Sequence, residues 1–574
     1  MPLVSRTFDQ LINFTRTSAA TFVGSNGLIQ TTPASVNLLL YTQDFDIATW
    51  NKGGGSVIVT ANSTTAPDGT STADTITESV GGTTHNIYQN ATVVSGSAYT
   101  WSGYVKANGR SIVQVNCQAT TTIYTAEFDL TAVTVTNRSG TGTATITDVG
   151  NGWYRVTATA TSTGAGTGYW QINLCSAANT ISYSGNGTSG VFLWGAQLEV
   201  GSTATTYTRN FGGLFPPRFD YNPVTLAPLG LLIEEQRVNL VTYSAAFDNA
   251  AWPKSNATVV ANQGVSPDGT TTADLLYPTT TGSSRGIIRG TDALLTNGTV
   301  YTQSVYVKAA GKRWVLFNGV DATNVDNSCY FDLQTGTIGV QGSAVTNATI
   351  VNAGGGWYRI TATGAAGAND YFLLQAVDAN GSSNTTTNGT DGVLIWGAQL
   401  EAGAGATSYI PTVASQVTRA GEIANISAPN FAPWYNQSEG TLMAEYSSFA
   451  TTVAASKAVT ASYDGTGNNR LMVYLFTDAP AFTATVGGAT QALLSTTGVT
   501  ANSVVKSAVA FRTNDFAFST NGSAALTDTS GSLPVTNALA IGSLAGSIPL
   551  NGHVRRIVFY PTRLTNAQIQ ALST

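Results

Sequence analysis

A stretch of this chain that begins Asn37-Leu38-Leu39-Leu40-Tyr41 returns as Asn239-Leu240-Val241-Thr242-Tyr243, and the correspondence holds for roughly 170 residues. Phe45 and Trp50 recur as Phe247 and Trp252, Pro67-Asp68-Gly69-Thr70 as Pro267-Asp268-Gly269-Thr270, and Phe128-Asp129-Leu130 as Phe331-Asp332-Leu333. Two closing blocks are the sharpest. Gly152-Trp153-Tyr154-Arg155 matches Gly356-Trp357-Tyr358-Arg359, and Trp194-Gly195-Ala196-Gln197-Leu198-Glu199 matches Trp396-Gly397-Ala398-Gln399-Leu400-Glu401. The offset moves only between 200 (Asp68 to Asp268) and 204 (Trp153 to Trp357), so insertions fall in loops. A period this long is a duplicated domain, because solenoid repeats run to about 20–50 residues.

Charged residues make up 10% of the 574, against about 25% in ordinary soluble chains. The polar surface is therefore built from Thr, Ser, Asn and Gly, which suit pleated surfaces and turns and make poor exposed helices. Short runs such as Ser111–Asn116 and Trp314–Phe317, bounded by Gly, Asn and Asp, read as strands at sandwich spacing. The expected fold class is all-β: tandem β-sandwich (jelly-roll) domains followed by a C-terminal sandwich. A net charge of −6 with scattered Lys and Arg lacks the footprint of a nucleic-acid binder. No apolar run is long enough to insert into a membrane as a helix. The opening Met1–Arg6 has no basic-then-apolar signal pattern, which predicts synthesis in a cytoplasm and release by another route. Cys117, Cys175 and Cys329 are too few for a disulfide framework, and buried free thiols are expected.

The expected divisions are an N-terminal segment over 1–36, module one over 37–208, a connector over 209–238, module two over 239–412, a linker over 413–429 and a last domain over 430–574. The connector, with Arg218–Thr225 and Leu229–Arg237, is too apolar to swing free. Asn26-Gly27 between apolar runs signals a hairpin. Thr565 stands ready to cap a terminal helix over 566–572.

Catalytic machinery is thin. The two histidines, His85 and His553, fall in different domains, and His85 aligns with Arg285, so the repeat does not require an imidazole there. The recurring carboxylates Asp68/Asp268, Asp74/Asp274, Asp129/Asp332 and Glu199/Glu401 are the material for a glycosidase pair or for a structural calcium ion. Turn and packing roles compete with both. No catalytic residue is assigned and no cofactor is expected beyond such a calcium. Aromatic residues are the stronger lead, since ring faces meet sugar C–H surfaces while amides and carboxylates fix hydroxyls. Trp101, Tyr104, Tyr169 and Trp170 in module one stand where module two has Gln303, Tyr306, Tyr371 and Phe372. Rings that differ between copies are better binding candidates than rings that repeat, which singles out Trp101 and Trp170.

The segments Phe14-Thr15-Arg16, Pro217–Tyr221, Gly230–Glu235 and the Asn-Leu-Leu-x-Tyr opening resemble a family of tailed-bacteriophage virion proteins of tail-fibre or receptor-binding type. Each repeat is similar to jelly-roll carbohydrate-binding modules. The last region resembles concanavalin A-like (laminin-G-like) lectin domains through Gly552–Ile557 and Arg563–Ala567. In such relatives the Gly-Leu-Ile hairpin runs directly into the Arg-Phe-Asp-Tyr connector, so module one looks inserted between residues 36 and 209. The resemblance implies a virion-surface protein made in the host cytoplasm, a homo-oligomer with a trimer expected, joined to other virion proteins through its N-terminal region and binding a bacterial surface glycan without catalysis. It also implies polar contacts on two loops of the last domain, at Asp464–Arg470 and Thr513–Asp515, with Arg470 and Asp515 fixing hydroxyls. A structural role as capsid or tail decoration is one alternative. A polysaccharide depolymerase is the other.

Overall fold

The structure, a computed structural model, describes residues 11–574 except 33–36, 54, 120–121, 211, 213–214, 283–285, 291–294, 319–326, 368–370 and 450–455. Arg285, the residue aligned with His85, lies outside the described residues, as does much of the expected N-terminal segment. The fold is all-β, in tandem sandwiches, as composition predicts.

The chain divides into two compact units: residues up to Thr17 with Pro33–Pro216, and Ser18–Thr32 with Pro217–Thr574. The chain thus leaves the second unit after Thr32 and re-enters it at Pro217, with module one in between. Two of the expected divisions are joined to their neighbours. Residues 1–36 are not one segment, because the hairpin of Thr21–Val23 and Ile29–Thr31 packs within the second unit, where Val23 N–H donates to Asp220 (2.6 Å) and Ile29 N–H to the Pro267 carbonyl (3.0 Å). The linker over 413–429 is packed, since Arg419 and Glu422 are buried there and Ile423–Ile426 is a strand.

Module one has eleven principal strands: β1 (Val57–Thr64), β2 (Ala73–Glu78), β3 (Asn86–Val93), β4 (Ala98–Asn108), β5 (Ile112–Gln118), β6 (Thr122–Asp129), β7 (Thr134–Gly140), β8 (Thr143–Gly150), β9 (Trp153–Thr161), β10 (Gly166–Cys175) and β11 (Gly190–Val200). They form a sheet in the order β7-β6-β5-β10-β3 and a facing sheet in the order β8-β9-β4-β11-β2-β1. Module two repeats them as β12 (Ala257–Gly264), β13 (Ala273–Pro278), β14 (Gly286–Gly290), β15 (Val300–Ala310), β16 (Trp314–Asn318), β17 (Ser328–Asp332), β18 (Thr337–Gln341), β19 (Asn347–Gly354), β20 (Trp357–Ala365), β21 (Tyr371–Val377) and β22 (Gly392–Ala402). Their orders are β18-β17-β16-β21-β14 and β19-β20-β15-β22-β13-β12, so the two copies share one topology.

The repeated motifs are structural latches. Asn37 is fully buried, donates to the carbonyls of Ala196 (3.1 Å) and Thr208 (2.9 Å), and accepts from the backbone of Leu39 and Leu198. Asn239 does the same with Ala398, Ile410, Val241 and Leu400. Tyr41 and Tyr243 sit at φ 51° and 53°, a left-handed conformation uncommon for a bulky residue, and their carbonyls take the Trp50 and Trp252 indole N–H at 2.9 and 3.0 Å. A buried polar group must be paired, so these residues recur because the fold needs them.

The C-terminal domain packs two antiparallel sheets. One runs through Phe219–Tyr221, Pro228–Ile233, Gly552–Tyr560, Glu439–Ser448, Val505–Arg512, Asp515–Thr520 and Leu526–Asp528, so two connector strands complete it. The other contains Ile423–Ile426, Ala538–Ile541, Ser456–Tyr463, Arg470–Phe476, Ala479–Val486 and Ala489–Ser495. The terminal helix spans Asn566–Leu572 and carries the full capping box, with Thr565 and Gln568 bonded reciprocally.

Candidate functional site

Trp101 and Trp170 are 1% and 2% exposed and belong to the module-one core, so neither presents a ring face to a ligand. The difference between the copies at Trp101 is an exchange of volume. Gly103 leaves room for the Trp101 ring, since a Cβ there would lie 2.5 Å from it, and module two carries the buried pair Gln303 and Val305 instead. At Trp170 the exchange is ring for ring, with Phe372 buried in the other core. At both positions the copies differ by an exchange of buried core volume.

Side chains alternate along β10, so the neighbours of Trp170 point the other way. Tyr169 is half-buried, and across the strand pair its ring lies 4.6 Å from that of Tyr88 at an interplanar angle of 32°. Gln171, Asn116 and Gln118 stand beside them on the same outer face of the β7-β6-β5-β10-β3 sheet, all half-buried. The Gln171 amide donates to Asn173 (2.6 Å), while the buried Asn116 Oδ1 has no hydrogen-bond partner among the described residues. Further along, Glu127 is held by Gln114 (2.8 Å) and by Arg138, which close that end of the face. Burial raises the Tyr169 pKa, with Tyr88 adding to the effect, so the Tyr169 phenol stays a neutral donor. Two adjoining rings flanked by amides on a rigid sheet can stack on a sugar and hydrogen-bond its hydroxyls.

The expected C-terminal loops are brought to one rim by a chain of hydrogen bonds. Gly488 N–H donates to the Asn468 carbonyl (2.9 Å), Ser532 N–H to Gln491 (3.2 Å), and Asn514 exchanges bonds with Gly531 (2.8 and 3.0 Å). Arg470 bonds the Gly467 carbonyl of its own loop, and Asp515 lies between Arg512 (2.9 Å) and Arg563 (2.7 Å). Both side chains are thus engaged in holding the rim.

The recurring carboxylates hold the chain to itself. Asp68 and Asp268 cap their own turns through Thr70 and Thr270. Glu199 and Glu401 bind Thr205 and Thr407, and Asp332 is gripped by Arg313 (2.7 Å). Among the described residues no group of three or more His, Cys, Asp or Glu is placed to hold a metal ion. His85 is buried and bonds the Ser56 carbonyl at 2.7 Å. His553 bridges Asp220 (2.8 Å) and Ser447 (3.4 Å), while Asp220 also takes the Val23 N–H, so this polar line fastens hairpin and connector to the last domain. The three cysteines are buried free thiols, with burial pushing Cys175 and Cys329 up to about 12.

No family model and no curated protein matches the chain. Among solved structures, the carbohydrate-binding module CBM40 of a Ruminococcus gnavus IT-sialidase, bound to α2,3-sialyllactose, is 16% identical and covers 24% of this chain and 84% of its own, with a TM-score of 0.22. The CBM22-1–CBM22-2 tandem of Paenibacillus barcinonensis Xyn10C is 12% identical over 65% of this chain and 100% of its own, at 0.20. Domains LG4–5 of the mouse laminin α1 chain are 8% identical over 59% and 94%, at 0.19. At these values none of them bears on what this chain binds.

Proposed function

We propose that this protein is a virion fibre component that binds a host-surface glycan without catalysis, and that the outer sheet of module one is its platform. The observation that carries the reading is the half-buried Tyr88–Tyr169 pair with its row of amides. Rings held by a sheet lose little freedom on binding, so a shallow and weak sugar site is the natural product of this geometry. Weak sites gain avidity only in multiple copies, which is the argument for a homotrimer on the particle surface. The decoration reading shares the fold and predicts no sugar affinity. The depolymerase reading needs two free carboxylates flanking a sugar, and the recurring carboxylates are engaged in their own loops. Glycan-array binding of the full chain, repeated with Tyr88→Ala and Tyr169→Ala, tests the proposal. Binding that disappears in both variants while the melting temperature holds supports it, and binding indifferent to both removes the platform.

A further inference from the structure

Module two carries a cleft of about 600 Å3 that the platform does not use. Its walls come from the hairpin, through Thr21, Ile29 and Thr31, and from the segments around Tyr243–Asp248 and Tyr409–Val413. Trp396 and Tyr409 lie beneath it, their rings 4.6 Å apart and almost wholly buried, so they support the floor and offer no ring face to a ligand. Trp396 donates to Thr272 (3.2 Å) and Tyr409 shares a hydrogen bond with Ser244 (2.6 Å), so the floor is fixed before any ligand arrives. Tyr243 is half-buried on the wall, and its backbone is locked by bonds to Trp252 and Val413.

The charge of the lining has one sign. Asp248 is exposed at the mouth, Asp268 is half-buried and Asp274 is buried at the back, while no Lys or Arg is among the described residues that line the cleft. Lys254 is close by, yet its ammonium is turned to the carbonyls of Asp248 (2.8 Å) and Asn249 (2.9 Å). Asp274 accepts from the backbone of Phe247 (2.8 Å) and Asn262 (3.0 Å), and Asp268 caps the 266–270 turn with one oxygen. The Asp248 carboxylate accepts no hydrogen bond among the described residues, which leaves it the free acceptor of the site. An anionic sugar entering here would meet the exposed Asp248 carboxylate, whose charge Lys254 beside it offsets in part, whereas a hydroxyl or ammonium donor meets acceptors on three sides.

We propose that this cleft is a second carbohydrate site, selective for sugars that offer hydroxyl and ammonium donors and carry no anionic group, with an amino sugar the best match. The inference rests on the carbohydrate-binding reading above but not on the platform, which lies in the other unit.

The test uses the full chain carrying Tyr88→Ala and Tyr169→Ala, so that only the cleft is read. Calorimetric titration compares three probes: the trimer of glucosamine, the neutral glucose trimer maltotriose, and trigalacturonate. The glucosamine trimer is expected to bind about tenfold more tightly than maltotriose, as a charge-assisted hydrogen bond allows, with trigalacturonate weakest. Adding Asp248→Asn should erase the preference for the ammonium, and Asp268→Asn should reduce it. Trigalacturonate binding as tightly as the glucosamine trimer, a preference that survives Asp248→Asn, or no binding by any probe would overturn the cleft site. Loss of array binding in the platform variants with no titratable cleft would leave the first reading standing and this one refuted. Array binding untouched by the platform variants, with cleft selectivity as expected, would do the reverse.

Discussion

Arg218 and Glu234 meet at 2.7 Å with both side chains wholly excluded from solvent. Glu422 takes the other edge of the same guanidinium (2.8 Å), Arg419 lies 3.2 Å from Glu234, and Arg218 also donates to the Thr21 carbonyl (2.7 Å). Connector, hairpin and the 413–429 segment are therefore tied through one buried network. The two arginines hold the Glu234 carboxyl well below the usual range against the pull of burial. Removing one partner leaves an uncompensated buried charge, so Arg218→Met should destabilise the second unit by about 3–5 kcal/mol. Chemical denaturation of the full chain followed by tryptophan fluorescence reads this as an earlier transition of the second unit, with the module-one transition in place.

Trp101 gives a test that separates packing from recognition. Trp101→Ala empties a core site and should cost about 3–5 kcal/mol. Trp101→Phe keeps a ring and removes an indole N–H that has no partner among the described residues, so its cost should be small. Thermal melting checks both, and glycan binding per folded molecule should be equal in the two.

Asp74 makes module one sensitive to pH. Burial outweighs the N–H bonds from Asn62 (2.8 Å) and Phe45 (2.9 Å) and lifts its pKa from 3.8 to about 7. A carboxyl that holds its proton more tightly when folded stabilises the fold fully below its unfolded pKa, and that contribution is lost as pH rises through the folded one. The module-one transition should therefore weaken between pH 4 and 8, by no more than about 4 kcal/mol. Glu78 works in the opposite sense. Despite its burial, Arg110, the Asn186 N–H and Tyr183 hold it down from 4.5 to about 2, so its contribution is complete above the first value and is lost as pH falls from there through the second. Calorimetry of the full chain at several pH values should show the first trend, and Asp74→Asn should flatten it.

Module one should be removable. Thr21 pairs with Thr31 and its carbonyl accepts from Arg218, so the points where the chain leaves and re-enters the second unit both lie beside Thr21. A chain lacking residues 33–216 should retain the melting transition of the second unit. Deleting 430–574 should not be benign in the same way, because Leu231–Ile233 pairs with Gly552–Val554 and would be left as an open edge.

The duplication, the all-β class, the hairpin at Asn26-Gly27 and the capped terminal helix were legible because each has a local signature: a repeated block, a composition, a turn pair, a capping box. The interruption of the second unit by module one shows in the fold, where the chain leaves that unit after Thr32 and returns at Pro217. The proposed binding face was not legible. Tyr169 and Trp170 are adjacent aromatics, and only the strand's orientation decides which faces the core. Burial of Arg419 and Glu422 was equally hidden, since a charged pair in a short segment looks like solvated surface until Arg218 and Glu234 supply its partners.

The central claim is that the Tyr88–Tyr169 face recognises a glycan, and one titration reaches it directly. The full chain is titrated with the strongest glycan found on an array while the side-chain signals of Tyr88, Tyr169 and Gln171 are followed by NMR. Shifts confined to this face, lost in Tyr169→Ala with the fold intact, are the predicted result. Saturable binding that leaves these signals unmoved, or no binding to any glycan, would contradict it.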